Sequence, residues 1–595
     1  MATAELPRRW AWPALAVVLA GGLGLRLWGV GQGLPYAYNA DEADHFVPRA
    51  VAMFGHDLNP HYFANPPAFT YLLHYLFAIA YSGTSGGVRH AFALHPADLY
   101  TLARIAAAAL GVAALWLLYA AGSRLFGRAV GLLAAAIEAV AFLPVFYSHL
   151  ALNDVPTLAP LTLSLLGSAG VLGKGRRRDY LLAGIGLGLA CATKYTAGIV
   201  LVVFVAAVTA RYLDGRPHAA RNGLLGIAIA AAAALLAFFV ANPFSLLDYS
   251  SFHRELVHQS TLSAESQGKL GAPRNGGVAY YLWTLTWGLG WLPALAALGG
   301  SIVVWRRGLR FGWLLVPAPL LFLAFMGLQG RYFGRWLLPI FPLLCLLAAV
   351  FVLWAATLLA SFAGRLSSAR AHFPAEADGG DPRLGGRLGA VFGVVLAAFV
   401  LAQGLVFSVH SGLVLARADT RNLTRAWMVA NVPVGAKIVA EPVSPDEWAR
   451  ERTPGTSAAT NPYRWHKYAS LVSRVSPSGA LLHSGLSVVG IENYERTLSP
   501  ALIGYYEQHG YCLVVSGSTQ SGRAFAAGRD APLAVAYYHA LQSQGEVVFR
   551  ASPYAPGKGP VAFGFDWSFD YYPLAYRRPG PSMTVYRLHG GRCGR

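Results

Sequence analysis

Apolar stretches long enough to cross a lipid bilayer recur along the first 413 residues, and no other property of the chain restricts its fold so severely. They fall near 10–30, 98–121, 129–147, 152–172, 180–196, 197–212, 222–241, 279–305, 311–328, 336–360 and 389–413. A helix rises about 1.5 Å per residue and the hydrocarbon core is about 30 Å thick, so a crossing takes about twenty residues. Inside that layer the backbone must satisfy its own hydrogen bonds, which turns such runs into helices. The expectation is a polytopic α-helical membrane protein with about eleven transmembrane helices. With 55% hydrophobic and only 13% charged residues in 595, the composition agrees. The first run, Trp10 to Val30, is followed by no obvious cleavage site and reads as a retained span with Arg8 and Arg9 inside.

The formal charge is +19, but the basic residues sit between apolar runs rather than on one polar face. That distribution excludes nucleic acid as the partner and marks topology instead. Clusters occur at Arg124 and Arg128, Lys174 to Arg178, Arg211 to Arg221, Arg306 to Arg310 and Arg365 to Arg387. Eleven spans, numbered from that first run, put every cluster on the cytoplasmic side. Residues 66–83 are apolar enough to be counted as a further span, yet counting them inverts every later loop. They are therefore expected to lie on, or dip into, the outer surface. The first outer loop is then 31–97, within a membrane module of residues 1–413. The expected location is the plasma (inner) membrane, with the polar oddities and the last domain outside the cytoplasm.

Residues 414–595 contain no further span and are numerous enough for a domain of their own. Helices are expected at Asn422–Asn431, Pro500–His509 and Leu533–Gln542. Strands are expected at Ala436–Ala440, Leu486–Gly490, Tyr511–Ser516, Glu546–Ala551 and Met583–Arg587. Such alternation predicts a small extracytoplasmic α/β domain. Cys191 and Cys345 lie in apolar spans and read as packing residues. Cys512 and Cys593 both belong to the last domain, where a disulfide between them is expected.

Candidate chemistry starts in the first outer loop, Tyr38-Asn39-Ala40-Asp41-Glu42-Ala43-Asp44-His45-Phe46. A helix beginning near Ala40 places Asp41, Asp44 and His45 on one face and Glu42 elsewhere. Glu42 also suits a capping box with Asn39, which leaves Asp41 and Asp44 unexplained. Asp154, followed by Val155-Pro156, suits a helix N-cap when taken alone. Lys194 suits a helix end with its ammonium snorkelling outward. Arg331 and Arg335 stand on the side where the topology rule disfavours cations, and two guanidinium groups there suit a phosphate or anionic headgroup. Carboxylates facing cations at a lipid surface can deprotonate an attacking hydroxyl and stabilise a phosphate leaving group. That is the chemistry of sugar transfer from a lipid-phosphate carrier, with attack opposite the phosphate inverting the anomeric centre.

In order and spacing, several motifs resemble the polyprenyl-phosphate-dependent glycosyltransferases of the GT-C fold. They are Asp41-Glu42, Asn59-Pro60, Pro66-Pro67, Ser148-x5-Asp154, Ala192-Thr193-Lys194-Tyr195 and Arg331-Tyr332-x5-Leu338-Pro339-x2-Pro342. The nearest groups are the family 39 protein O-mannosyltransferases and their bacterial relatives, the aminoarabinose transferases among them. Phe563 to Asp570 and Arg578-Pro579-Gly580-Pro581 resemble the outer domain of bacterial members. Two residues, Ala43 and Asp44, separate Asp41-Glu42 from His45-Phe46, where protein mannosyltransferases tend to have one. The resemblance implies Asp41 as catalytic base, with Glu42 and Asp154 near the acceptor or an optional divalent metal. It implies Lys194 and Arg331, with Tyr332 and Arg335 beside them, as the donor-phosphate site. No cofactor is required, and an optional metal would take Asp41 and His45 as ligands. The partners implied are a polyprenyl-phosphate-linked sugar, a glycan, lipid or protein acceptor, and membrane lipid. The alternative from another class is a transporter or flippase of a lipid-linked or anionic substrate, which would place its ionisable groups at the bilayer midplane and show repeated halves.

Overall fold

The computed structural model describes residues 6–589, apart from 82, 214–218, 266–267, 275, 371–381, 452–460, 469–472, 476–480 and 484–490. Two expectations touch the excluded residues. The strand at 486–490 lies outside the described residues. So does Cys593, whose expected partner Cys512 is disulfide-bonded.

Among the described residues eight helices are long and apolar enough to cross a membrane, including Arg8–Leu27, Pro96–Phe126, Gly277–Arg307 and Gly334–Ala363. The other three apolar runs form shorter pieces. Residues 128–147 split into Arg128–Val140 and Phe142–Tyr147 at Ala141, whose backbone is extended. Pro144 sits in the first turn of the second piece, where its missing N–H is tolerated. Leu158–Gly173 and Arg177–Thr193 are continuous helices of 16 and 17 residues. The disputed segment 66–83 forms Ala68–Ala80, only 13 residues, or about 20 Å at 1.5 Å each. It is too short to cross. Phe69, Leu73 and Phe77 are buried on one face while Leu72, Tyr75 and Ile79 are exposed on the other.

Helix Arg177–Thr193 is packed closely from both sides. A Cβ at Gly184 or Gly188 would collide with the carbonyls of Ala230 and Ala234. At Gly186 it would strike the backbone of Ser164. Small residues let backbones approach this closely and so exchange side-chain volume for helix–helix contact. The helix ends at Lys194, so its placement sets that of the lysine.

The C-terminal part follows the expected alternation. Helices run over Thr420–Asn431, Ala501–Gln508, Ser518–Ala526 and Pro532–Gln544. Five strands form a mixed sheet in the order His466–Lys467, Lys437–Ala440, Leu513–Gly517, Met583–Arg587, Glu546–Ala551. The first three are parallel and the last two antiparallel to their neighbours. Period-two alternation sends Val439 and Val514 to one face, against Leu502, Tyr506, Tyr537 and Leu541. Ile438, Leu513, Val515 and Val585 face the other side, with Met428 of helix Thr420–Asn431. Both faces are therefore covered, as a sheet with parallel strands requires.

This part is locked onto one end of the helix bundle. The Arg421 guanidinium is paired with Asp419 at 2.7 Å and lies 3.5 Å over the Tyr38 ring. Tyr38 donates from its hydroxyl to Asn422 at 2.6 Å. Further along, Tyr572 stacks on Phe407 at 4.3 Å and meets Phe142 edge-on at 5.1 Å. The end of the bundle that meets this domain is also the end that carries the charged residues.

Candidate active site

Asn39 does cap the turn that follows it: its side-chain oxygen accepts the Glu42 N–H at 3.2 Å. The second half of the expected capping box is absent, because Glu42 turns inward instead. Both its oxygens accept from Arg104 at 2.8 Å, and one also accepts the Ala151 N–H at 2.8 Å. Arg104 spends its remaining reach on the carbonyls of Val30 and Gln32. This buried pair is fully hydrogen-bonded, which is the condition for tolerating charge away from water. It joins the Asp41 loop to helix Pro96–Phe126.

Glu42–Phe46 is a π-helical turn rather than the α-helix expected from spacing. The three-and-four rule therefore does not hold there, and the expected shared face breaks up. Asp44 is exposed. His45 stacks on Tyr62, with ring centroids 4.7 Å apart. Asp41 alone points toward the other charged residues, and it accepts from Arg335 at 2.5 Å.

Arg335 is the centre of a four-residue network. Its Nε lies 3.6 Å from Asp154, and Asp154 pairs through its other oxygen with Lys194. The order is Asp41, Arg335, Asp154, Lys194, alternating in sign. Asp154 is not the N-cap expected for the next helix, because that helix starts at Leu158 after Thr157. Its side chain is turned to the cations and almost wholly buried. Lys194 caps the C-terminal end of Arg177–Thr193 as expected, but its ammonium goes to Asp154 instead of outward. Ring faces complete the setting: the Arg335 guanidinium is 4.7 Å from the Phe333 centroid and 5.9 Å from that of Tyr147.

Two further predicted residues directly precede Phe333 in the chain. Tyr332 is buried between Tyr280 and Tyr281, at 5.6 and 6.1 Å between rings. Arg331 is half-buried in the extended stretch before Gly334. Asp41 turns to Arg335 and His45 to Tyr62, and among the described residues no three His, Cys, Asp or Glu side chains form a group that could hold a metal ion. The residues present do not fit the optional metal.

One contributor comes from the far end of the chain. Asp566 accepts from the Tyr280 hydroxyl and from the Gly334 N–H at 3.4 Å, directly before Arg335. Asp570 is buried four residues on. Burial raises both carboxyls above the usual range, and for Asp570 the neighbouring Asp566 charge adds to the effect. Tyr147 stands directly before the Ser148-x5-Asp154 motif. Asp566 had a weak signal in the Phe563 to Asp570 motif, which named a domain and no role.

Residues 65–245 match a family model described as dolichyl-phosphate-mannose-protein mannosyltransferase. No curated protein matches the chain in sequence. Among solved structures, the apo oligosaccharyltransferase of Archaeoglobus fulgidus superposes with a TM-score of 0.50 at 14% identity, over 92% of this chain and 74% of that one. ArnT from Cupriavidus metallidurans bound to undecaprenyl phosphate gives 0.42 at 14% identity, over 98% of each chain. The protein O-mannosyltransferase complex of S. cerevisiae bound to its sugar donor gives 0.33 at 17% identity, over 42% of this chain and 35% of that one. The archaeal match shows the GT-C fold.

Proposed function

We propose, from the match of residues 65–245 to the dolichyl-phosphate-mannose-protein mannosyltransferase model, that the chain moves one sugar from a polyprenyl-phosphate carrier to an acceptor hydroxyl, with inversion, on the outer face of the membrane. The observation that carries this reading is the alternating network of Asp41, Arg335, Asp154 and Lys194. It combines a half-exposed carboxylate with two cations at the bundle end covered by the C-terminal domain.

Asp41 is the base. Its side chain is the more open of the two carboxylates, at 39% exposure against 4% for Asp154. An acceptor can reach it, whereas Asp154 is committed to holding both cations. Arg335 and Lys194 receive the carrier phosphate, and Asp154 keeps them together before it arrives. As the bond between the anomeric carbon and the phosphate oxygen breaks, the leaving phosphate gains negative charge. Cations already in place stabilise that charge without reorganising. Glu42 serves by fixing the loop, through Arg104, and takes no part in proton transfer. The sugar, hexose or pentose, is left open by this geometry.

The test is single-turnover transfer by purified protein from a lipid-phosphate sugar. Loss of a general base costs about 10²–10⁴-fold, so Asp41→Asn should nearly abolish transfer while still binding undecaprenyl phosphate. Full activity in that variant would end the mechanism.

A further inference from the structure

The segment Gly564 to Tyr572 leaves the C-terminal domain and lies against the helix bundle beside Arg335. Its side chains are seated there one after another. Phe565 packs on Phe333 with centroids 6.1 Å apart, Trp567 on Trp283 at 5.3 Å, and Tyr572 on Trp287 at 5.5 Å. Asp566 is buried among them, and both of its oxygens are spent on the bundle. One takes the Tyr280 hydroxyl and the other the Gly334 N–H at 3.4 Å. The contacts therefore fall on the two residues immediately before Arg335: Phe333 by its ring and Gly334 by its amide.

Gly334 itself has little room to move. A Cβ there would approach Trp287 and Thr284 closely, so the turn is already wedged against helix Gly277–Leu285 and its π-helical extension. Tyr280 belongs to that helix. Asp566 thus ties the turn and the helix together at one point, and Arg335 leaves the turn at the next residue. A guanidinium on a long side chain has considerable rotamer freedom, and holding its backbone reduces the share lost when it binds.

From this we infer that Asp566 is a positioning residue for the transfer reaction: the C-terminal domain reaches back to clamp the turn that aims Arg335 at the carrier phosphate. The inference rests on Arg335 being a phosphate ligand, as proposed above. It makes the C-terminal domain part of the active site by way of one carboxylate.

The experiment measures binding of undecaprenyl phosphate to the purified full-length protein carrying Asp566→Asn, Arg335→Ala, or both. Asp566→Asn should weaken binding about tenfold, which is the size of one lost charge-assisted hydrogen bond. Added to Arg335→Ala it should cost nothing more, because a clamp has no effect once the clamped side chain is gone. Tyr280→Phe removes one hydroxyl and keeps the ring, so it reports on the same clamp if Asp566→Asn does not fold. It should weaken binding in the same direction and be silent on the Arg335→Ala background. Unchanged binding in both single clamp variants would overturn the inference, as would full multiplication of their effect with that of Arg335→Ala. If Arg335→Ala itself binds the lipid like the parent, the phosphate role proposed for Arg335 falls and takes this inference with it. Loss in Arg335→Ala with parental binding in the clamp variants sinks the clamp alone.

Discussion

Two acidic residues that are neighbours in the chain, Asp41 and Glu42, have opposite environments, and their contributions can be separated. Glu42 is buried against Arg104 and the Ala151 amide. Removing one partner of such a pair leaves a charge and an amide stranded away from water, at a cost of about 3–5 kcal/mol. Glu42→Ala should therefore lower the melting temperature of the detergent-solubilised protein markedly and lose transfer in proportion to the folded fraction. Asp41→Asn should lose transfer with its melting temperature nearly intact. A Glu42→Ala protein that melts like the parent yet fails to transfer would return Glu42 to the chemistry.

Among elements, legibility in the sequence followed periodicity. The helix Thr420–Asn431 and the strand Met583–Arg587 were readable because each repeats its own period against a clear change of composition. The turn Glu42–Phe46 was not, because a π-helical turn has no apolar signature of its own and depends on what receives Glu42. That receiver, Arg104, lies 62 residues away, about two turns into the long apolar helix Pro96–Phe126. Asp154, taken alone, was ambiguous for a related reason. Its local sequence is a good cap, and only the tertiary approach of Lys194 and Arg335 shows otherwise. The apolar runs announced the bundle, but the pairing of its charges required the fold. The parallel strand end at Ala440 makes a prediction of its own. Glu441 is fully buried there and accepts from Ser516, Gly517 and Tyr538. Burial raises its pKa to about 7, against the pull of these three donors. The folded domain thus binds that proton more tightly than the unfolded chain, whose value is near 4.5. The stabilisation is complete below about pH 4.5 and is lost as pH rises through about 7, an effect of about 3 kcal/mol. Thermal unfolding at pH 5 and pH 8 should differ in the parent, and Glu441→Gln should flatten the difference.

At the scale of the whole molecule the bundle and the C-terminal domain are joined at several separated points, Arg421 over Tyr38 and Tyr572 against Phe407 among them. Large aromatic contacts of this kind are costly to open, so neither part should unfold on its own. Calorimetry of the intact protein in detergent should show one transition. Tyr572→Ala, which removes a half-buried ring from four aromatic neighbours, should lower it by several degrees and broaden or split it. Two transitions in the parent would contradict the joined architecture.

The glycine-faced helix Arg177–Thr193 has a mechanical meaning as well. With backbone pressed to backbone at Gly184, Gly186 and Gly188, it behaves as a strut: it can neither slide nor roll without colliding with a carbonyl. Lys194 is fixed to the end of that strut. The opposite jaw is built differently, from the short 3-10 turn Gly334–Ile340 that carries Arg335 and leans on side chains. One side of the site is therefore braced backbone to backbone, and the other is clamped through side chains. With both backbones held, any widening that admits a lipid headgroup between the two cations must come from their side chains.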